Sequence, residues 1–168
     1  MFKIVEKRKL AENIYEMKIA AERVARAALP GQFVIVRADE GSERIPLTIA
    51  DYDVEAGTVT IVTQTIGHST KKICSLEEGE SLADFAGPLG RPSEFVHMPV
   101  EELRKRKYLF IAGGVGTAPV YPQVKWLKQH GVECDVIIGS KSSNMLIYTD
   151  KMEKVGNDFG IVFPEEID

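Results

Sequence analysis

Through roughly the first hundred positions, apolar and polar residues alternate in short runs broken by turn-forming residues. Phe2–Lys9 and Asn13–Ile19 alternate, and Phe33–Arg37 follows the Pro30-Gly31 turn signal. Ile45–Ala50, Thr58–Gln64 and Ser81–Phe85 continue the series. A period of two residues places one side of each strand in a core and the other toward water. Regularly spaced short strands separated by Gly, Pro and Asp clusters predict an antiparallel barrel or sandwich. Two stretches interrupt it. Ala20–Leu29 is alanine-rich and Thr70–Leu76 follows a glycine, and each predicts a short helix.

The texture changes after Lys107. Tyr108–Ala112 is an unbroken apolar run, which predicts a strand buried on both faces. A glycine-dense turn follows. Val120, Val124 and Leu127 then recur at helical spacing up to Gly131, and Val132–Ile138 forms a second buried strand. Strand, turn, helix and strand in this order begin a doubly wound parallel sheet. Phe159–Phe163 supplies a third strand. The segment from Pro88 to Arg106 carries Pro88, Pro92 and Pro99 and joins the two halves, so the boundary falls there, with residues 1–98 before it and 99–168 after it. Such a sheet generally has about five or six strands, so the second half reads as incomplete. Either it borrows an edge from a partner or it is a shortened version of a longer design.

Composition narrows the function. The chain has 168 residues, 44% of them hydrophobic, enough for a buried core. Its net charge of −4 argues against nucleic-acid binding, which needs a basic excess to neutralise phosphates. The longest basic run, Arg104 to Lys107, follows Glu101-Glu102 and reads as a solvated helix end rather than a docking patch. No apolar stretch approaches the roughly 18 residues of a membrane span. The N-terminus lacks the apolar middle of a signal peptide, so a cytoplasmic location is expected. Cys74 and Cys134 read as buried free thiols, and two cysteines are too few for an iron–sulfur cluster with about four thiolate ligands. No metal-ligand spacing is present.

The candidate chemistry is concentrated in turns. Gly113-Gly114-Val115-Gly116-Thr117-Ala118-Pro119 stands at a strand-to-helix junction. There, backbone N–H groups and the helix dipole can receive a pyrophosphate, although a tight connection alone would also use glycine. Proline replaces the third glycine of the usual dinucleotide fingerprint. The acid expected near the end of the second strand is absent. Gly139-Ser140-Lys141-Ser142-Ser143 stands there instead, suited either to an extra phosphate or to capping the next element. In the first half, Arg44 offers a fork of donors for phosphate oxygens, and Thr48 a hydroxyl for a bound ring. Gly67-His68-Ser69-Thr70 opens a short helix and is a second anion cradle, while His68 taken singly reads as a surface loop residue. His97 and His130 have no evident partners. No nucleophile–base arrangement is visible, so a cofactor is expected to carry the reaction.

Taken in order, Pro30-Gly31-Gln32-Phe33, Arg44 to Asp51, Gly67 to Lys71, Gly87-Pro88-Leu89-Gly90 and Gly113 to Pro119 resemble the ferredoxin–NADP reductase superfamily. The branch is that of the dihydroorotate dehydrogenase electron-transfer subunit, the small subunit of NADH-dependent ferredoxin:NADP oxidoreductase and related sulfide dehydrogenase subunits. The resemblance implies an N-terminal antiparallel flavin-binding β-barrel followed by an incomplete parallel α/β nucleotide-binding domain, with FAD and NAD(P)H as cofactors. It implies that Arg44 contacts flavin phosphate, that Pro46, Leu47 and Thr48 line the isoalloxazine, and that Ile49, Ala50 and Asp51 lie along the ribityl and adenosine side. The turn of Gly67, His68, Ser69 and Thr70 would cradle the FAD pyrophosphate. Gly113, Gly114, Val115, Gly116, Thr117, Ala118 and Pro119 would receive NAD(P)H, with Thr117 near the nicotinamide. Thr48 and Thr117 are thereby the candidate catalytic positions. Implied partners are a large redox subunit and ferredoxin or another iron–sulfur carrier; dihydroorotate dehydrogenase, sulfide dehydrogenase, or a flavin-binding module without turnover are the alternatives. Members of the branch continue further and end in a cysteine cluster that ligates a 2Fe–2S centre. This sequence has neither feature.

Overall fold

Seven antiparallel strands form the first body of the structure, a computed structural model that describes residues 1–164. They are β1 (Phe2–Ala11), β2 (Ile14–Ala20), β3 (Phe33–Arg37), β4 (Ile45–Asp53), β5 (Thr58–Gln64), β6 (Ser81–Leu82) and β7 (Asp84–Leu89). Their order across the sheet is β6-β1-β2-β5-β4-β3-β7. The sheet curls because β6 and β7 are successive pieces of one extended stretch. β6 pairs with β1 and β7 with β3, and between them the Ala83 N–H donates to the carbonyls of Arg37 and Ala38 at 3.0 and 3.2 Å. The single strand predicted over Ser81–Phe85 is therefore bent at Ala83 so that one stretch can serve both edges and leave little edge unpaired.

Alternation decides what fills the barrel. Ile4, Met17, Ile19, Val34, Val36, Ile49, Val59 and Ile61 point inward, joined by Val24 and Ala25 of α1 (Glu22–Ala27) and Ile73 of α2 (His68–Ser75). Residues of opposite parity on the same strands face outward. Ala11, Ile14, Ala50 and Val62 are nonetheless buried, because the second body covers them.

That second body is a three-stranded parallel sheet ordered β10-β9-β8, from β8 (Tyr108–Gly113), β9 (Cys134–Gly139) and β10 (Phe159–Val162). It carries α4 (Thr117–Gln129) and α5 (Thr149–Val155) on one face. α4 ends as its sequence requires: Gly131 takes φ +73, and the Val132 N–H reaches back to the Leu127 carbonyl at 2.9 Å, a Schellman closure. The connection over 88–106 is more ordered than its prolines suggest. It holds a short 3₁₀ turn at Glu94–His97 and α3 (Val100–Arg104), whose Leu103 is buried. Arg104 to Lys107 are exposed at the end of α3.

The expectation of doubly buried strands fails: β9 begins at Cys134 rather than Val132 and has Asp135 and Ile137 only half-buried, and β8 departs further. β8 is not buried on both faces: Leu109 is 56% and Ile111 71% exposed, because α4 and α5 cover only the opposite side.

The two bodies meet across the outer wall of β2, β5 and β4. At its centre Glu16 is 2% exposed, with Arg8 at 3.1 Å, the Tyr148 hydroxyl donating a short hydrogen bond to its carboxylate, and Lys151 at 3.8 Å. The Lys151 ammonium also lies over the Tyr148 and Tyr121 rings, at 4.7 and 5.1 Å. Lys125 of α4 adds a 2.8 Å ion pair to Asp51 of β4. A buried carboxylate needs such partners, since desolvation otherwise disfavours its charge. Burial, reinforced by the Glu16 charge, pushes the Tyr148 phenol far up, so it stays a donor at any ordinary pH. Tyr148→Phe should therefore cost about 2 kcal/mol, the worth of a hydrogen bond to a charged group. Urea unfolding followed by circular dichroism measures it, and an unchanged midpoint would show that the wall stands without this bond.

Candidate functional site

The first candidate region is a gap in the barrel. β4 pairs with β5 only from Ile49 onward, Ile49 to Asp53 lying against Ile61 to Thr58. Upstream, Ile45 to Thr48 pair with β3 alone, and Val62 to Gln64 of β5 pair with β2 alone. The two strands splay, leaving the Pro46–Thr48 edge without a strand partner on that side. Proline is tolerated there because an unpaired edge needs no N–H. Thr48 and Pro46 are exposed and Leu47 is half-buried.

Downstream the same strand turns to structural work. Ile49 enters the barrel core, Ala50 is the extra residue of a β-bulge and packs against α4, and Asp51 holds Lys125. Ile49 and Ala50 thus have no side chain free for a ligand and can offer only backbone.

Two charged contacts bring the Arg44 segment and the Gly67 turn together. The Ser69 hydroxyl donates to Glu43 at 3.0 Å, and Lys72 pairs with Asp39 at 2.5 Å. Arg44 itself is 2.9 Å from Asp84, which also holds Arg37 at 2.7 Å; one arm of the Arg44 fork is engaged and the side chain stays exposed. Within the turn, Thr70 accepts from the N–H groups of Ile66 and Gly67 and donates to the Gly67 carbonyl, so its hydroxyl shapes the turn. The next N–H groups, of His68 and Ser69, stand in the first helical turn, where no intrahelical acceptor exists. A Cβ built on Gly67 meets nothing within 4 Å, so this side of the turn is open to a ligand. His68 is exposed.

The second region lies at the carboxyl ends of β8, β9 and β10. A cleft of about 500 Å³ is lined there by Gly114, Gly139, Ser140, Lys141, Val162 and Phe163, with Gln64 of β5 on its other wall. It therefore spans the junction between the barrel and the parallel sheet, at the place where open α/β sheets bind ligands. Gly113 and Gly139 are paired, and a Cβ on Gly113 would come within 3.2 Å of the Gly139 carbonyl oxygen. Gly114 takes φ +54, and neither Gly114 nor Gly116 has an atom within 4 Å of a built Cβ. The turn is thus open on the side where a phosphate would approach. Val115 is half-buried, Thr117 and Ala118 are buried at the start of α4, and Pro119 falls in the first turn, where a missing N–H costs nothing. The Thr117 hydroxyl is enclosed and has no hydrogen-bond partner, an orphaned polar group beside the glycine turn.

Of the predicted residues, Gly114 lines the junction cleft; Arg44 to Thr48 and Gly67 to Thr70 sit around the barrel gap, which Gln64 links to the cleft. Sequence reasoning missed Gln64, Met145 and Phe163 as lining residues. Only the first carries a signal, standing three residues before Gly67 at the end of its strand. Gln32 was quoted only as part of a motif, yet it clasps two such segments, its amide donating to the Gly90 carbonyl at 3.0 Å and accepting from the Leu29 N–H at 2.9 Å.

Neither cysteine offers an exposed thiol to these regions. Cys74 and Cys134 are buried and unbridged, and burial pushes each thiol up to about 11. Among the described residues no His, Cys, Asp and Glu cluster could hold a metal, and no helix is long and apolar enough to cross a membrane.

No protein-family model matches the chain. It is 57% identical over 158 residues, 94% of its length, to an uncharacterised Clostridium beijerinckii protein encoded in the adh 3′ region, of which it covers 53%. It is 36% identical over 154 residues, 92% of its length, to a Thermotoga maritima homologue of the dihydroorotate dehydrogenase B electron-transfer subunit, covering 52% of it. The structure of the NADH-dependent reduced ferredoxin–NADP oxidoreductase, known for flavin-based electron bifurcation, superposes with a TM-score of 0.85 at 34% identity, over 96% of this chain and 56% of that one. The chain has the ferredoxin–NADP reductase-like fold. Within it, the chain is related to the dihydroorotate dehydrogenase electron-transfer subunits, and it spans about half the length of the curated relatives it matches.

The two turn glycines separate structure from binding. Gly114→Ala forces a side chain into the left-handed region and should cost about 1 kcal/mol. Gly116 has φ −64 and open space, so Gly116→Ala should leave the melting temperature unchanged while weakening nucleotide binding, as calorimetry would report. Equal binding by both proteins would dismiss the turn as a phosphate site. Buried neutral groups also set an alkaline limit. Cys74 and Cys134 are raised from 9.0 to about 11 and Tyr121 from 10.0 to about 12, chiefly by burial. Folding favours their neutral forms, so stability is whole below pH 9 and declines as pH climbs through 11. Melts across that range, with thiol titration showing both cysteines inert until unfolding, check the sign.

Proposed function

We propose that this chain is the FAD- and NAD(P)H-binding part of an electron-transfer oxidoreductase that passes electrons between a nicotinamide and an iron–sulfur carrier such as ferredoxin. The observation that carries the reading is the junction cleft, which runs from the glycine turn of β8 to the end of β5 beside the barrel gap. Two phosphate-receiving turns, one on each side of it, suit two dinucleotides approaching each other with their rings in between. Bound flavin would supply the change of stoichiometry: a nicotinamide gives two electrons together, and an iron–sulfur carrier accepts one at a time.

The residues divide the work accordingly. Arg44 and the first turn of α2 hold flavin phosphates, and the open Pro46–Thr48 edge receives the ring system, Thr48 contributing its hydroxyl. Ile49, Ala50 and Asp51 flank the cofactor through backbone. Gly113 to Pro119 receive the nicotinamide dinucleotide, with Thr117 beside the reacting ring. The division at 98/99 between the two bodies, a large redox partner subunit and a reducing cytoplasmic setting belong to the same proposal. The relative named as a dihydroorotate dehydrogenase electron-transfer subunit homologue favours that enzyme as a second acceptor.

Purified chain incubated with FAD and then freed of unbound flavin should keep flavin bands at about 370 and 450 nm, which NADH or NADPH bleaches anaerobically. Arg44→Ala should weaken FAD binding by about tenfold or more, the worth of one charge-assisted contact. A protein that stays colourless with excess FAD sinks the proposal, and one that binds flavin without bleaching reduces it to a flavin-binding module.

A further inference from the structure

The Glu16 cluster in the wall between the two bodies has no part in the chemistry proposed above, yet it connects the two sides of the junction cleft. Glu16 stands on β2 opposite Val62 of β5, two residues before Gln64, the cleft residue on the barrel side. The other wall includes Gly139, Ser140, Lys141 and Met145. All four lie at or beyond the carboxyl end of β9, in the segment that runs on to Tyr148, the residue before α5.

That segment is tied at both ends. At the first, the Ser140 N–H donates to the Val162 carbonyl at 3.1 Å. Through the middle are local bonds: the Ser140 hydroxyl donates to the Ser142 carbonyl at 2.9 Å, and the N–H groups of Met145 and Leu146 to the carbonyls of Ser142 and Ser143. Lys141, Ser142, Ser143 and Asn144 are exposed. At the far end, the Tyr148 hydroxyl donates to the Glu16 carboxylate and so ties the segment to the barrel. Tyr148 takes φ +60, which among the described non-glycine residues only Asn13 shares. A bulky residue keeps that conformation only where its surroundings fix it. Here they are the Glu16 carboxylate, the Tyr121 ring edge-on at 5.4 Å and the Lys151 ammonium at 4.7 Å. Arg8, 3.1 Å from the other oxygen of Glu16, holds the carboxylate itself.

We propose that Glu16 is a positioning residue for the junction cleft: by holding Tyr148 it fixes the 140–148 segment, and with it Ser140, Lys141 and Met145, at a set distance from Gln64. The barrel thereby sets the width of the cleft from behind, through a bond that touches no ligand. The consequence for a bound nucleotide rests on the reading of the cleft as a dinucleotide site; the fixing of the segment does not.

Distances across the cleft test the fixing, and calorimetry tests its consequence. Ile66→Cys on the barrel and Lys141→Cys on the segment are both at exposed positions, and the native cysteines are buried from a spin label. Pulsed electron resonance should give one narrow distance distribution for this pair, and adding Tyr148→Phe, which keeps the ring and removes the donor, should broaden it about twofold or more. A control pair within the barrel, Ile66→Cys with Val54→Cys, should not change. Glu16→Gln leaves a neutral acceptor and should broaden the 66–141 distribution less; if Tyr148→Phe does not fold, this variant carries the test alone. In unlabelled protein, Tyr148→Phe should bind NADH or NADPH about fivefold or more weakly, with FAD affinity unchanged.

A 66–141 distribution that stays narrow overturns the proposal, and so does equal broadening of the control pair, which marks general loosening. Nucleotide affinity equal to that of the unsubstituted protein overturns the positioning role. If the unsubstituted protein binds neither nucleotide, the dinucleotide reading of the cleft fails, and the distances alone still decide whether Glu16 fixes the segment.

Discussion

The wall formed by the outer faces of β2, β5 and β4 is the constraint on which the rest of this molecule depends. Ala50, pushed out of register by a β-bulge, gives α4 a small residue to pack against, and Ile14 and Val62 extend the same surface. Core residues of the parallel sheet and outward residues of the barrel thereby form one buried cluster. The spacing between the glycine turn of β8 and the end of β5 follows from this packing. The proline-bearing connection takes part in it, with Leu103 in the same buried cluster and Phe95, Met98 and Val100 packed against it.

Charged and polar side chains around the barrel gap are held by one another. Asp84 holds Arg37 and Arg44, Glu43 holds Ser69, and Thr70 closes the turn on itself. Each contact fixes a side chain near the barrel gap. Most of these groups are partly exposed, so their separate contributions to stability are small. Their value lies in position. The Glu16 cluster works differently, since its carboxylate is enclosed and its partners must stay in place for the wall to hold.

The barrel closes on itself except at the splayed β4–β5 gap, whereas the described part of the parallel sheet is covered on one side only. The barrel supplies a filled support, and the parallel sheet a glycine turn at the carboxyl end of β8.

Much of this was legible along the chain. Period-two alternation placed most barrel strands, because inward and outward positions differ in burial on every strand. Gly131 marked the end of α4, since only glycine takes φ +73 there without strain. The glycine and arginine segments were visible as candidate phosphate contacts because their chemistry is local. What stayed hidden was non-local. Gln64 and Phe163 meet across the cleft only because two bodies dock, and Glu16 looks like any strand carboxylate until Tyr148, 132 positions away, comes to donate to it. The apolar run of β8 reads as doubly buried from sequence alone, and only the tertiary arrangement shows one face uncovered. Local periodicity determines which residues share a face; which surface then covers that face is decided by handedness and docking, and these exist only once the chain has folded.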